Sequence, residues 1–318
     1  MVWVVGVVVA CGGGSDVKPP DAPPDAPSGP PSCVGVPATC GSAGTGDCCE
    51  SPLVEGGMFF RDYDLGSDAN YKSMNAPATI SSVRLDKYEV TVGRFRKFIA
   101  AGAPVPAVGA GAHPNIPNSG WDASWNAMLS SNIPAAMAAS ASQGECYVSF
   151  WTWTDQPGPN DDEPIDCVDW FEAFAFCAWD GGFLPTDTEW NYAASGGSEQ
   201  RVYPWSSPPS SMTITFGTDC ACDARPRNGP VGVGTLPAGD GKWGQSDLAG
   251  NVFEWTLDAS YVAPAPCDDC ADLGSAASSR NIRGGAFAAN TELRSAGHNN
   301  DPPTSHFYFN GFRCARAP

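Results

Sequence analysis

The sequence predicts a mixed fold of short strands and short helices joined by long loops. Hydrophobic residues make up 42% of the 318-residue chain, which is enough to fill a substantial core. The 36 glycines and 30 prolines leave little room for long helices, so loops must cover much of that core. The third observation is that capped helix starts and brief apolar strands alternate along the chain.

The first 32 residues are predicted to form an export signal and a linker. Residues 1–11 contain a short apolar run ending in Val-Val-Ala-Cys, which resembles a bacterial lipoprotein signal without its basic start. The run is too short to span a bilayer. Residues 12–32 are almost entirely Gly, Pro, Asp and Ser, a composition typical of an extended linker. We therefore expect Cys11 to be lipidated and to hold an exported domain at the bacterial cell envelope by a membrane anchor.

The cysteine content indicates an oxidising compartment. The chain has 13 cysteines, and an even number remains once Cys11 is set aside. Four of them lie in residues 33–51, which are predicted to form a small module stapled by local disulfides. The adjacent Cys48 and Cys49 are expected to bond to different partners, and the full pairing stays open.

Charge excludes one class of partner. The chain carries 17 basic and 35 acidic residues, for a formal net charge of −18. Such an acidic surface repels nucleic acids and anionic membrane surfaces, so no nucleic-acid partner is expected. The chain contains only three histidines and no pair of Cys-x-x-Cys motifs with zinc spacing, which leaves little material for a zinc site.

Four stretches have the composition and alternation of strands. They are residues 52–60, 84–90, 281–287 and 307–316. Residues 103–146 are rich in Ala, Gly, Pro and Asn, so we expect a long ordered loop region there.

Three helix starts carry N-capping signals. Thr91 precedes an amphipathic stretch and is a suitable N-cap. Asp169 with Glu172, and Thr186 with Glu189, have the three-residue spacing of capping boxes. Each pattern predicts that a helix begins directly after the capping residue.

Residues 244–256, GQSDLAGNVFEWT, combine turn formers with an aromatic strand start. Asp247, Asn251 and Glu254 place three oxygen-bearing side chains close together, with the carbonyl of Gly250 among them. Hard cations such as calcium take oxygen ligands of this kind. The plainer interpretation is a turn that leads into a core strand.

Six blocks, in order, resemble the formylglycine-generating enzyme (sulfatase-modifying factor) family. They are LDKYEVTVGRFRKF, PIDCVDWFEAFAFCAWDGGFLPTDTEW, YPW, GQSDLAGNVFEW, RNIRGGAF and GFRCAR. The resemblance extends over residues 52–318. It implies a single α+β domain of the C-type-lectin-like kind, loop-rich, with short strands and two main helices.

The resemblance also implies two structural features. One is a disulfide between Cys177 in the second helix and Cys314 in the last strand. The other is a structural calcium ion in the 244–256 segment. Its expected ligands are Asp247, Gly250, Asn251 and Glu254.

The catalytic cysteines of the family are not matched. Family enzymes oxidise a sulfatase cysteine to formylglycine with oxygen and a copper ion, which two cysteines hold just after the block matched by residues 280–287. In this chain Ala-Ala-Asn follows, and no cysteine occurs between Cys270 and Cys314. A thiolate copper site needs sulfur ligands. Copper binding and formylglycine-generating activity are therefore not expected.

The leading hypothesis is a binding or accessory module for a peptide, glycan or protein. Arg283, Trp255 and Asn299 are expected to lie near the ancestral groove, where an arginine can pair with a carboxylate and an indole can stack. The alternatives are a surface charge for Arg283 and a core position for Trp255, and the core position is favoured for Trp255.

Two alternatives stay open. The first is a metal-dependent oxidase with non-heme iron or copper, for which His298, Asp301 and His306 are the local ligands available. The second is a lectin-like recognition protein whose loops in 288–310 vary for specificity. Its polar binding face would use Asn290, Asn299, Asn300 and Tyr308.

Overall fold

The computed structural model describes Met1 and residues 29–222, 229–259, 266–288 and 292–318. The predictions for Cys11, for the apolar run and for most of the linker lie outside these residues, as does the prediction for Asn290. Within them the chain has an α+β fold with four short α-helices, ten short strands and many loops. No helix in the described part of the chain is long and apolar enough to cross a membrane.

The four α-helices of this part are α1 (Val92–Ala100), α2 (Ile133–Gln143), α3 (Trp170–Trp179) and α4 (Asp187–Ala194). All three predicted N-caps are confirmed. The side chain of Thr91 accepts a hydrogen bond from the first turn of α1 at 3.3 Å. Complete capping boxes, Asp169 with Glu172 and Thr186 with Glu189, begin α3 and α4. These caps satisfy backbone N–H groups that have no partner inside the helix.

Helix α2 lies inside the predicted loop of residues 103–146, so that prediction is wrong there. Asn132 caps the helix and a proline occupies its first turn. Ile133 and Met137 are buried, whereas most of the other residues are alanine or serine. The hydrophobic periodicity is therefore weak, and the usable signals are the cap and the helix propensity of alanine.

The strands are β1 (Leu53–Val54), β2 (Gly57–Phe60), β3 (Pro77–Ile80), β4 (Val83–Leu85), β5 (Phe253–Trp255), β6 (Cys267–Asp268), β7 (Arg280–Arg283), β8 (His298–Asp301), β9 (Asn310–Gly311) and β10 (Ala315–Arg316). They form three small sheets with the orders β1-β4-β10, β2-β3-β6 and β8-β7-β5-β9. All pairs are antiparallel except β3 with β6 and β5 with β9.

The predicted strands are longer than those of the structure. Residues 52–60 divide into β1 and β2, and the extended part of residues 84–90 ends at Leu85. Strand β7 ends at Arg283 because Gly284 follows with φ +94°, a conformation that favours glycine. Residues 307–316 contain only the two short strands β9 and β10.

Six disulfides pair all the cysteines of the described residues. In the N-terminal module the adjacent Cys48 and Cys49 bond to different partners, as predicted. A disulfide joins Cys177 in α3 to Cys314 next to β10, the pairing that the family resemblance implies. The pairs are Cys33–Cys49, Cys40–Cys48, Cys146–Cys167, Cys177–Cys314, Cys220–Cys222 and Cys267–Cys270.

The largest core cluster packs α1 and α3 against β5 and β7. Phe95 of α1 stacks on Phe176 of α3, with ring centroids 5.7 Å apart. Trp170 and Trp255 are fully buried, and each donates its indole N–H to a backbone carbonyl. This core fixes β5 and β7, the strands that carry the motif residues.

Candidate functional site

Glu254, one of the predicted calcium ligands, forms a buried ion pair. Its carboxylate accepts from Nε and Nη2 of Arg313 at 2.6 and 2.7 Å. The indole of Trp190 donates to the same carboxylate at 2.9 Å. Arg313 also donates to three backbone carbonyls, so it cross-links the turn before β5 to the rest of the domain. The cation that contacts Glu254 in the structure is therefore the guanidinium of Arg313, where the sequence suggested calcium.

The other predicted calcium ligands hold neighbouring loops. Oδ1 of Asn251 accepts from the backbone N–H of Val231 at 2.9 Å, and its Nδ2 donates to Glu89 at 2.7 Å. Asp247 accepts from the backbone N–H of a glycine in the same region at 2.6 Å. Gly250 has φ +91°, and a Cβ at this position would lie 2.8 Å from a backbone carbonyl oxygen. This segment therefore acts as a tight junction between loops.

Three buried carboxyl groups, those of Glu89, Asp247 and Glu254, surround Arg313. The single positive charge of Arg313 cannot balance three negative charges. Burial raises the pKa of Glu89 well above its ordinary value, and the nearby Asp247 and Glu254 raise it further. Burial also raises the pKa of Asp247 to about 6. Burial thus favours the protonated forms of Glu89 and Asp247.

The expected groove lined by Arg283 and Trp255 is not present, because both side chains are 0% exposed. Arg283 donates to Asp187 at 2.6 Å and to Asp62 at 2.8 Å. Burial raises the pKa of Asp62, but Arg283 outweighs this effect and the pKa falls to about 2. Trp255 belongs to the core cluster. Trp255 thus has the core position that the sequence favours, and Arg283 is neither at a groove nor a surface charge. Asn299 on β8 is exposed.

His298, Asp301 and His306, the ligands named for the oxidase alternative, do not form one cluster among the described residues. His298 lies 3.3 Å from Asp62. Asp301, at the other end of β8, accepts from an asparagine side chain at 2.8 Å. His306 lies 3.2 Å from Glu172 at the start of α3. His298 and Asp301 are the two ends of strand β8, and the extended strand keeps them apart.

A different set of ligating side chains does come together. Single ligand atoms of Asp169, Glu172 and His306 all lie within 4.8 Å of one another, and the three residues are buried. Burial raises the pKa of Asp169 well above its ordinary value, and Glu172 raises it further. Burial opposes protonation of His306, but Glu172 outweighs it and raises that pKa to about 9. His306 and Glu172 thus form an ion pair, and Asp169 and Glu172 are also the capping box of α3. The three side chains could hold a metal ion.

The second feature of interest is a group of aromatic side chains beside the loop that follows β7, called the aromatic face below. Its members are Tyr147, Phe150, Phe287, Tyr308 and Phe309. The ring centroid of Tyr308 lies 5.0 Å from that of Tyr147, 5.4 Å from that of Phe150 and 4.9 Å from that of Phe309. Phe150 lies 5.3 Å from Phe287. Tyr147 is 50% exposed, Phe150, Tyr308 and Phe309 are half-buried and Phe287 is buried, so the face reaches solvent mainly through Tyr147.

Local structure fixes the aromatic face. The Cys146–Cys167 disulfide anchors the loop that carries Tyr147 and Phe150. A turn follows, in which the backbone N–H of Phe150 donates to the carbonyl of Tyr147 at 2.9 Å. The backbone N–H of Tyr308 donates to the carbonyl of Glu145 at 3.1 Å, which joins the two halves of the face. The rings are therefore held in place before any ligand binds.

A cavity of about 340 Å³ adjoins the aromatic face at Phe150. Trp151 and Glu163 provide its polar groups. Val231, whose backbone N–H donates to Asn251, lines its wall. The indole N–H of Trp151 is buried and finds no acceptor among the described residues. Burial raises the pKa of Glu163. The site thus combines aromatic surface, a buried indole donor without an acceptor among the described residues and a carboxyl group.

Sequence reasoning identified only Tyr308 of this face. Tyr147 and Phe150 lie directly after the stretch expected to be loop, and a single aromatic residue in a loop carries no periodic signal. A usable hint was the cluster of Tyr147, Phe150 and Trp151 directly after Cys146, because a disulfide can order such a loop.

The family model described as "Sulfatase-modifying factor enzyme 1-like domain" matches residues 38–318. Among curated proteins, the chain is 29% identical to the hercynine oxygenase of Mycolicibacterium smegmatis, over 90% of this chain and 65% of the relative. It is 33% identical to the mouse "Inactive C-alpha-formylglycine-generating enzyme 2", over 52% of this chain and 54% of the relative. The chain thus spans less than two thirds of either protein.

Further comparisons are with a formylglycine-generating enzyme and with two solved structures. The chain is 27% identical to the formylglycine-generating enzyme of Thermomonospora curvata, over 75% of this chain and 83% of that enzyme. The structure of PvdO from Pseudomonas aeruginosa matches with a TM-score of 0.57 and 21% identity, over 89% of this chain and 99% of PvdO. Treponema denticola variable protein 1 matches with a TM-score of 0.50 and 18% identity, over 84% and 95%. These structural matches agree with a C-type-lectin-like fold.

Proposed function

This chain belongs to the sulfatase-modifying factor enzyme 1-like domain family, and we propose that it uses the family fold to bind a peptide or protein. The observation that carries this proposal is the aromatic face. Phe287 belongs to the block that precedes the family's cysteine pair, and Phe150 and Tyr308 pack around it. The ancestral catalytic region thus adjoins an exposed aromatic surface.

The chemistry available in this region supports binding over oxidation. The block ending at Phe287 is followed by Ala-Ala-Asn, and all cysteines of the described residues are paired in disulfides. These residues do not fit a copper ion that needs free thiolates. The relative named an inactive formylglycine-generating enzyme supports the view that members of this family can lack that activity.

A peptide ligand suits the composition of the face. Tyrosine and other aromatic residues are enriched at the centres of protein interfaces, where they bury much area at a small entropic cost. The donor of Trp151 and the carboxyl group of Glu163 in the adjoining cavity would fix the register of a bound chain.

Selection from a displayed peptide library on the purified domain tests this proposal. Enriched peptides should bind the wild-type domain and lose affinity by about tenfold or more with Tyr147→Ser, since aromatic anchors dominate interface energy. Met58→Ser is the matched control, because Met58 is 54% exposed and Tyr147 is 50% exposed. Peptides that bind both variants equally well, or a glycan array that binds where peptides do not, would contradict a peptide-binding face.

The proposed location is the cell envelope, with Cys11 as a lipidated N-terminus. Support comes from the apolar run ending in Val-Val-Ala-Cys and from the Pro/Asp-rich linker. Cys11→Ser should release the protein from membranes into the soluble fraction. Unchanged membrane fractionation together with an unprocessed N-terminus would contradict lipidation.

A structural calcium ion near Asp247 and Gly250 is the proposed cofactor. The excess of buried carboxyl groups around Arg313 supports it, because a divalent cation would offset their charge. Chelation should lower the melting temperature, and added calcium should restore it by mass action. Asp247→Asn should abolish this response. A melting temperature that neither chelator nor calcium changes would contradict a calcium site.

A metal-dependent oxidase is the second candidate function. The buried cluster of Asp169, Glu172 and His306 favours it, because its ligand atoms lie within 4.8 Å of one another and include an imidazole, a type of group that binds iron. Metal analysis of the purified domain distinguishes the two candidates. Stoichiometric iron that His306→Gln removes would support the oxidase, whereas calcium alone would support the binding module.

A further inference from the structure

We propose that Arg280 marks a binding site for a small carboxylate ligand, in a cavity whose lining shares no residue with the aromatic face. The cavity has a volume of about 350 Å³. Trp125, Leu257 and Leu273 provide apolar wall, and Ser275 and Arg280 provide polar groups. A volume of this size accepts one small organic molecule.

The guanidinium of Arg280 keeps part of its hydrogen-bonding capacity. Nη1 donates to the carbonyls of Leu257 and Leu273 at 2.9 and 3.0 Å, and Nη2 donates to the carbonyl of Ser275 at 3.2 Å. Nε is buried and has no acceptor among the described residues. Because Nε and Nη2 lie on one edge of a guanidinium, the two remaining N–H groups match the fork that a carboxylate accepts.

Among the described residues Arg280 has no direct ion pair, although the carboxyl groups of Asp258 and Asp272 lie near it. The side chain is 1% exposed, and within the described part of the chain it forms no salt bridge. Its guanidinium lies over the ring of Trp170, 3.9 Å from the ring centroid. Burial lowers the pKa of Arg280 to about 10, and the nearby Asp258 and Asp272 act in the opposite direction. A buried cation without a direct carboxylate contact is costly, and an anionic ligand in the cavity would supply that contact.

The walls of the cavity restrict which anion fits. Asp122 also lines the cavity, is exposed, and has a pKa lowered by its hydrogen bonds to Ser124. This negative charge disfavours dianions such as sulfate and phosphate. The apolar wall of Trp125, Leu257 and Leu273 favours an apolar body. The combination selects a monocarboxylate with an apolar ring or chain.

Benzoate and benzamide are matched probes, because they share a ring and differ in the charge of the group offered to Arg280. Ligand-observed NMR on the purified protein measures the affinity of each. Arg280→Gln removes the cation. Ser124→Trp fills the cavity from an exposed position and leaves Arg280 in place. Arg84→Gln is the control, because Arg84 is an exposed arginine on β4.

Benzoate should bind saturably and about tenfold or more tightly than benzamide, as expected for a charge-assisted pair. Both Arg280→Gln and Ser124→Trp should weaken benzoate by about tenfold or more, and Arg84→Gln should leave it unchanged. Equal affinity for benzamide, benzoate binding that survives Ser124→Trp, or no saturable benzoate binding would each overturn the proposal. If Arg280→Gln fails to fold, Ser124→Trp decides alone.

Discussion

The two arginine clusters and the aromatic face use their side chains in opposite ways. Arg283 with Asp187, and Arg313 with Glu254, are fully buried pairs whose hydrogen bonds go to other parts of the same chain. In the aromatic face, Tyr147 exposes half of its surface, and Phe150 borders a cavity with a free donor. The arginine clusters form their hydrogen bonds within the domain. The aromatic face, in contrast, has exposed ring surface and polar groups that a ligand could contact.

This difference shows which part of a family motif carries the fold. The polar residues of the recognised blocks, such as Asn251 and Glu254, cap helices, join loops or pair with buried arginines. Their spacing therefore specifies the scaffold. Most residues of the aromatic face lie outside the blocks, where loops are free to change without loss of the core.

The largest expected effect concerns the covalent link within the scaffold. Cys177→Ala/Cys314→Ala should lower the free energy of unfolding by about 5 kcal/mol, an upper estimate from loop-closure entropy. The sequence separation of that pair is 137. The same double replacement at Cys220 and Cys222, with a separation of 2, should cost about 1–2 kcal/mol. Urea denaturation without reductant measures both, and equal losses would contradict this ranking.

The next effect tests the buried ion pair. Arg313→Met should destabilise the domain by about 3–5 kcal/mol, because it leaves Glu254 buried without its partner. Arg84→Met is the matched control at an exposed position of strand β4 and should cost about 0.5 kcal/mol or less. Chemical denaturation of the two variants decides this. A loss at Arg313 as small as the control would show that the cluster does not hold the scaffold.

Local signals in the sequence were sufficient to predict the helix starts. Capping depends on residues three positions apart, so Asp169 with Glu172 is readable without any tertiary structure. Long-range contacts were not readable in this way. Arg283 and Asp187 lie 96 residues apart, and strand β8 forms only because β7 pairs with it. The groove prediction failed for this reason, since a lone arginine does not reveal its distant partner.

A smaller, graded effect is expected from buried carboxyl groups. Burial raises the pKa of both Asp166 and Asp258 to about 8. The unfolded chain releases these protons near pH 4, whereas the folded chain keeps them until about pH 8. Stability present at pH 4 is therefore lost as the pH rises to 8, by up to about 1.4 kcal/mol per pH unit for each group.

Melting temperatures measured from pH 5 to pH 8 test this dependence. Asp166→Asn should reduce the slope, because the amide does not titrate and can keep the hydrogen bond from Thr152. Glu55→Gln, at an exposed position, should leave the slope unchanged. A wild-type melting temperature that rises across this range would contradict the assigned direction.

The smallest effect on stability is expected at the aromatic face. Tyr147→Ser should change the free energy of unfolding by about 0.5 kcal/mol or less, because half of this side chain is already in solvent. The same variant is expected to lose peptide affinity, so the two measurements separate binding from folding. Destabilisation of several kcal/mol would instead place Tyr147 with the scaffold.

Mass spectrometry of a sulfatase-motif cysteine peptide, incubated with the purified domain and copper, tests the central claim most directly. That claim is that the family fold here lacks the thiols for oxidation and serves binding. The account predicts no aldehyde product with or without copper, because the block ending at Phe287 is followed by Ala-Ala-Asn. A copper-dependent formylglycine product would contradict it, and would mean that one of the disulfide cysteines is catalytic.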